Sequence, residues 1–258
     1  MRVLVTLLFA VSIGFSPLLS AQGGAVSSLG RIEPAGGVVS LAGPSGLGSV
    51  IMELKVEEGQ MVKRGDVIAI LDSYPVRKAE LARYDAELEN AQQQLNRENK
   101  LGRTMATSAS KIEALELGVK SARASRAAAA AMLDLSLVKS PADAQILTVL
   151  SRPGERVGVE GVVEIGQTDK MYAVAEVYET DIIHVKPGQK AQISSPALAM
   201  PVTGTVERIG LKVGKMDVLG MDPIAEADAR VIEVDILLDD VEAVKTLTNL
   251  QVEVEIGI

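Results

Sequence analysis

Residues 56–71 read VEEGQMVKRGDVIAIL, and residues 151–166, SRPGERVGVEGVVEIG, partly repeat them. Gly154 answers Gly59, Val157 answers Val62, and Val162, Val163 and Ile165 answer Val67, Ile68 and Ile70, while Gly161 is displaced by one place from Gly65. Each copy is a short apolar alternation punctuated by turn residues, the pattern of small strands around tight turns. In the first copy strands are expected at 50–56 and 67–71 around a turn at Glu58 and Gly59. Such a half-repeat predicts one small β-sandwich closed from two similar halves that lie far apart in the chain.

What separates the halves is helical. From 73 to 137 the apolar period changes: Leu81, Leu88 and Leu95 recur every seven residues with Tyr84 and Ala91 between them, and Leu115, Ala122 and Ala129 repeat the spacing, with Ile112 and Val119. Two helices with one apolar stripe each predict an antiparallel pair. Gly102 suits a left-handed C-terminal cap, and Ser110 with Glu113 spells a capping box, which puts the turn near 102–110. At 1.5 Å per residue, arms of about 28 residues project roughly 40 Å. The alanines at 127–131 favour the helix and a close partner.

After 168 the chain reads as β structure. Strands are expected at 171–177, 188–193, 204–209, 231–238 and 252–256, and a loop at 212–230 interrupts them. Five or six strands with one polar face predict a small barrel. The fold class is therefore α+β, elongated and multi-domain. Its expected parts are an N-terminal segment at 1–22, a lead-in strand at 26–37, a first half-sandwich at 38–72, the helical hairpin at 73–137, a second half-sandwich at 138–167 and a barrel at 168–258.

Composition narrows the chemistry. With 47% hydrophobic residues the 258-residue chain can bury a core, but only 2% are aromatic and there is no Trp, so stacking platforms and aromatic-lined pockets are scarce. A net charge of −8 argues against nucleic acid as a partner, because counterion release needs a basic surface. In the last third acidic residues outnumber basic ones by about two to one. The chain has no Cys, which excludes disulfides, thiolate metal sites and a lipidated cysteine. At the N-terminus Arg2 precedes an apolar run from Val3 to Phe15, then Pro17 and small residues. That layout fits a cleaved secretory signal or an uncleaved anchor, and both place the body outside the cytoplasm.

Together, the split sandwich, inserted hairpin and following barrel resemble the periplasmic membrane fusion proteins, or adaptors, of Gram-negative tripartite efflux systems, the HlyD/MacA-like superfamily. The phrases MYAVAEVYETDIIHVKPGQKAQI, DPIAEADARVIEVDILLDD and LTNLQVEVEI are similar to the barrel of the DevB family, which serves ABC exporters. In that family the sandwich is lipoyl-like. The resemblance implies a non-enzymatic role: a homo-oligomeric ring of six subunits linking an inner-membrane ABC permease and its ATPase to a TolC-like outer-membrane channel. At the hairpin tip, RENKLGRTMATS carries the spacing R-x-x-x-L-x-x-x-x-x-x-S at Arg97, Leu101 and Ser108, which in such adaptors contacts the channel. Arg97, Lys100, Arg103 and Lys111 outnumber Glu98 there. On the residues alone, Arg97 solvated, Leu101 packed inside the hairpin and Ser108 capping a helix is an equal reading. Helix two starts at Ser108 or at Ser110.

Other candidate sites are weaker. A biotinyl or lipoyl carrier needs a lysine at the turn after VIAIL, yet Lys78, the nearest, lies in a helical run. No cofactor is expected. His184 stands alone after Ile182 and Ile183, GPSGLG from Gly43 lacks the GK[ST] ending of a phosphate loop, and Asp222, Glu226 and Asp228 miss the EF-hand spacing. A covalent-cofactor carrier and a coiled-coil scaffold are the rival function classes.

Overall fold

A computed structural model describes residues 24–43, 48–102, 108–217 and 230–258. The N-terminal segment, the acids Asp222, Glu226 and Asp228, Arg103 and most of the glycine-rich stretch after Gly43 lie outside these residues. Among the described residues eleven strands and two long helices follow one another: β1 (Ala25–Leu41), β2 (Ile51–Leu54), β3 (Met61–Val62), β4 (Val67–Leu71), α1 (Tyr74–Gly102), α2 (Ala109–Asp134), β5 (Leu137–Lys139), β6 (Ala144–Val149), β7 (Val163–Tyr178), β8 (Lys190–Ser194), β9 (Val202–Lys215), β10 (Arg230–Leu238) and β11 (Gln251–Gly257). Mixed sheet and a helix pair are what the periodicities predict.

The two half-repeats close on each other through reciprocal hydrogen bonds. Gly59 N–H donates to the Ile146 carbonyl and Gly154 N–H to the Ile51 carbonyl, each at 2.8 Å; Ile51 N–H donates to Glu155 O and Ile146 N–H to Gln60 O, each at 2.9 Å. Every partner in one half is replaced by its counterpart in the other. Gly59 and Gly154 turn the chain with φ of 82° and 88°, a region a side chain disfavours. The half-strands then bury one core, with Ile51, Ile68, Leu71, Ile146, Val162 and Val163 almost without solvent contact. Strands β2, β4 and β5 form a three-stranded sheet over it, and β3, β6 and the adjoining ends of β7 and β1 belong to the larger sheet.

Between β4 and β5 the helix pair leaves this body. Ser73 O accepts the Arg77 N–H at 3.0 Å, and Pro75 falls in the first turn, where its missing N–H costs nothing. Leu81, Tyr84, Leu88, Ala91 and Leu95 are half-buried on one face of α1, against Ile112, Leu115, Val119, Ala122 and Ala129 of α2. Two cross-ties, Asp85 to Arg126 and Glu98 to Lys111, each 2.8 Å, set the antiparallel register. The capping box does not form. Ser108, not Ser110, is the N-cap, with no side-chain cap; its carbonyl already accepts from Lys111 and Ile112, so Ser110 sits inside the first turn. Gly102 is the last residue of α1 rather than a cap beyond it.

The remaining strands form a ring in the order β1-β11-β8-β9-β10-β7, closed by pairing of β1 with β7. Ile32, Met171, Ile193, Ile236 and Ile256 fill it, while Glu253 and Glu255 alternate outward from Val252 and Val254. Strand β9 runs on to Lys215, where the sequence suggests a loop from 212; Val213 pairs with Ile232 and Lys215 with Arg230. The suggested boundaries at 37/38 and 167/168 both fall inside strands, because β1 and β7 continue from the ring into the split body.

Candidate functional site

The last turns of α1 and the first of α2 form the free end of the helix pair. Leu95 and Glu98 occupy the seam; Arg97 and Leu101, four residues apart, lie in one row beside it, with Leu101 three residues after Glu98 and so at the seam's edge. Arg97 is exposed and Leu101 is 48% exposed, so about half of the leucine's surface is open and half is covered. Ser108 is exposed across the turn, its hydroxyl 3.2 Å from that of Ser110. The three candidate residues thus stand at one end of the hairpin, Arg97 and Ser108 exposed and Leu101 about half so. An exposed guanidinium fork beside a leucine suits a partner that offers carboxylates next to an apolar groove.

Glu98 was legible only as a stray charge. It is 8% exposed, occupies the seam position three residues after Leu95, and takes the Lys111 ammonium at 2.8 Å. Lys111 is therefore engaged across the seam, whereas Lys100 is exposed beside Arg97. The signal that could have found the pair is the seam phase itself, continued one step past Leu95.

The other candidates do not gather into a site. After β4 only Asp72 and Ser73 precede α1, and Lys78 lies in the helix, 5.9 Å from the Tyr74 ring centre. His184 ends an exposed 3-10 turn, and among the described residues no cluster of His, Cys, Asp and Glu is placed to hold a metal ion. A groove of about 610 Å³ on the outer face of the ring is lined by Arg31, Tyr172, Glu207, Arg208, Glu233 and Asp235. There Arg31 reaches Glu33 at 2.6 Å and Glu176 and Glu233 at 2.9 Å. Burial works against its charge but is outweighed by the hydrogen bonds and charges of Glu233 and Glu33, so its pKa is raised. Glu176, 1% exposed, also accepts the Asp217 N–H at 3.0 Å. These groups satisfy one another, and the network reads as structural.

No protein-family model matches the sequence. Multidrug resistance protein MdtA of Escherichia coli O45:K1 (strain S88) is 31% identical over 157 residues, a match covering 55% of this chain and 38% of that protein. The chain thus spans well under half the length of this curated relative. In structure, the chain is similar to a MacA-MexA chimeric protein carrying the Pseudomonas aeruginosa MexA α-hairpin domain, with a TM-score of 0.74 and 20% identity, over 91% of this chain and 79% of that one. It is also similar to the membrane fusion protein Spr0693 of Streptococcus pneumoniae R6, with a TM-score of 0.60 and 19% identity, over 90% and 98% of the two chains. MacA of Actinobacillus actinomycetemcomitans gives a TM-score of 0.54 at 23% identity, over 91% and 78%.

Proposed function

From the membrane fusion protein fold that the described residues share with these structures, we propose that the chain is a non-enzymatic periplasmic adaptor of an efflux or export system. The observation that carries the reading is the exposed Arg97 and Leu101 pair at the free end of a two-helix arm, with Ser108 across the turn. The split body is a lipoyl-like domain and the strand ring is a β-barrel domain. Lipoyl-like domains pack side by side into a ring of six, hairpins extend toward a TolC-like outer-membrane channel, and barrels face an inner-membrane permease. The similarity of the barrel segments to the DevB family favours an ABC permease, whose own ATPase drives transport. The body lies in the periplasm, delivered by a signal peptide or held by an N-terminal anchor.

Export supplies the test. Arg97→Asp abolishes crosslinking of the tip to a TolC-like channel and abolishes export, while far-UV circular dichroism and the melting profile stay unchanged. Unchanged export in this variant removes the tip assignment. The carrier reading is separated by intact mass, since a biotinylated or lipoylated chain is heavier. With Lys78 inside α1 and only Asp72 and Ser73 after β4, the geometry disfavours that modification.

A further inference from the structure

The strand ring has two unlike ends. At one, β1 and β7 run on into the split body. The other is free: β1 begins there at Ala25, β7 finishes at Tyr178, β9 finishes at Lys215, β10 begins at Arg230 and β11 finishes at Gly257. The antiparallel ladders hold these termini side by side, Ala25 with Gly257, Tyr178 with Val231 and Lys215 with Arg230. Gly24 stands at the same end, its carbonyl accepting the Ile258 N–H at 2.9 Å. The apolar run from Val3 to Phe15, which the sequence offers as a signal or an anchor, is thus joined to the ring at its free end.

This end also displays apolar side chains that the core does not use. Strands β7 and β8 are not neighbours in the ring, so the connection 179–189 crosses its mouth; Ile182 and Val185 pack into the core, while Ile183 between them is largely exposed. In β9, Ile209 pairs with Val234 and Val213 with Ile232, which leaves 210–212 bulged opposite Glu233 alone. Leu211, on that bulge, is fully exposed. Strand β9 lies three strands from β1 whichever way the ring is followed, so Leu211 and Gly24 stand on opposite sides with Ile183 across the mouth between them. A helix or peptide partner needs its anchors gathered in one groove, whereas points spread over a whole rim suit a flat surface. Charge offers no competing account, because Lys186, Lys212, Lys215 and Arg230 are met at this end by Glu179, Asp181 and Asp217.

We propose that the free end of the ring is a lipid-docking face: with the N-terminal segment held in a bilayer as an anchor, Ile183 and Leu211 dip into the headgroup region and seat the ring on the membrane, the split body lying on its far side. The inference rests on the anchor reading of the N-terminus. A tether that joins the ring at this rim keeps the two side chains at high effective concentration over the surface, so shallow insertion needs little affinity of its own. With charges near balance, the contact depends on apolar burial; it persists in high salt and does not require anionic headgroups.

The chain contains no Trp, so a single introduced indole reports alone. Full-length Leu211→Trp and Ile183→Trp chains are reconstituted into phosphatidylcholine vesicles that include phosphatidylcholine brominated near the headgroup end of its acyl chains. Met200→Trp and Val159→Trp are the controls: both residues are largely exposed, Met200 in the β8–β9 connection at the opposite end of the ring and Val159 in the split body. Leu211→Trp and Ile183→Trp are expected to shift to the blue and lose about half their emission to the bromines, with or without high salt, and the controls less than about a tenth. Flotation of the same vesicles reads the anchor separately. Chains that float with every indole unquenched retain the anchor and overturn the docking face; chains that do not float overturn both. Equal quenching of all four indoles, or a blue shift at Leu211→Trp without quenching, which marks contact with another copy of the chain, also overturns it.

Discussion

The β bodies and the helix pair keep their shapes by different means. In the sheets Ile51, Ile68, Leu71 and Ile146 of the split body, and Ile32, Ile193, Ile236 and Ile256 of the ring, lose essentially all contact with water. Along the described parts of both helices, the buried apolar residues are only Val119 and Ala129. Two helices alone cover one stripe of each other and leave the remaining faces open. The sheets therefore store the folding free energy, while the helices, tied into β4 and β5 at their base, provide reach and a displayed end.

The largest test of that contrast is a matched pair of truncations. Ile146→Ala, in the fully enclosed core, is expected to cost about 3–5 kcal/mol, and Leu88→Ala, half-exposed on the seam, about 1–2 kcal/mol. Urea unfolding followed by circular dichroism measures both. Equal losses would mean that the hairpin carries as much of the fold as the sheets do.

Ion pairs offer a finer version. Arg31→Ala strips the fork from Glu176, which remains 1% exposed in the sheet, and is expected to cost about 2–4 kcal/mol. The Asp85–Arg126 tie between the helices has side chains 49% and 45% exposed, and a double-mutant cycle there should give a coupling below about 1 kcal/mol that fades with added salt. A coupling as large as the Arg31 loss would show that charges, not apolar burial, hold the arms together.

How far the sequence discloses this division depends on the range of the interaction. The seam is local, and Leu81, Leu88, Leu95, Leu115 and Ala129 announce it by spacing alone, but spacing leaves Leu101 open between the seam and the surface. The glycine turns are local too, since Gly59 and Gly154 stand at matched places in two copies of one pattern. Strand continuity is not. Positions 37/38 and 167/168 read as boundaries, because a bulge and a linker use the same kinds of residue and only the partner strand tells them apart. Glu98 is hidden for the opposite reason: a charge in the seam breaks the apolar pattern, and its partner Lys111 lies beyond the turn. Arg31 meets Glu176 and Glu233 from strands 145 and 202 residues away, a distance at which no periodicity carries information.

The smallest expected effect concerns a proton rather than the fold. On the outer face of the ring the Tyr172 hydroxyl donates to the Glu207 carboxylate at 2.7 Å. That hydrogen bond first, then partial burial and the negative charges of Glu207 and Asp235, push the phenol up to about 12, against a weaker opposing pull from Arg208. A phenol raised above its unfolded value of about 10 favours the folded chain at lower pH, and the contribution is lost as pH rises from about 10 through 12, where the unfolded chain releases the proton first. Glu207→Gln should therefore draw the Tyr172 midpoint back toward about 10, read from phenolate absorbance with Tyr172→Phe as the blank, and leave stability at neutral pH within about 0.5 kcal/mol. An unmoved midpoint would shift the cause to burial. A stability loss at neutral pH would make this exposed pair a structural tie, unlike the exposed ties between the helices.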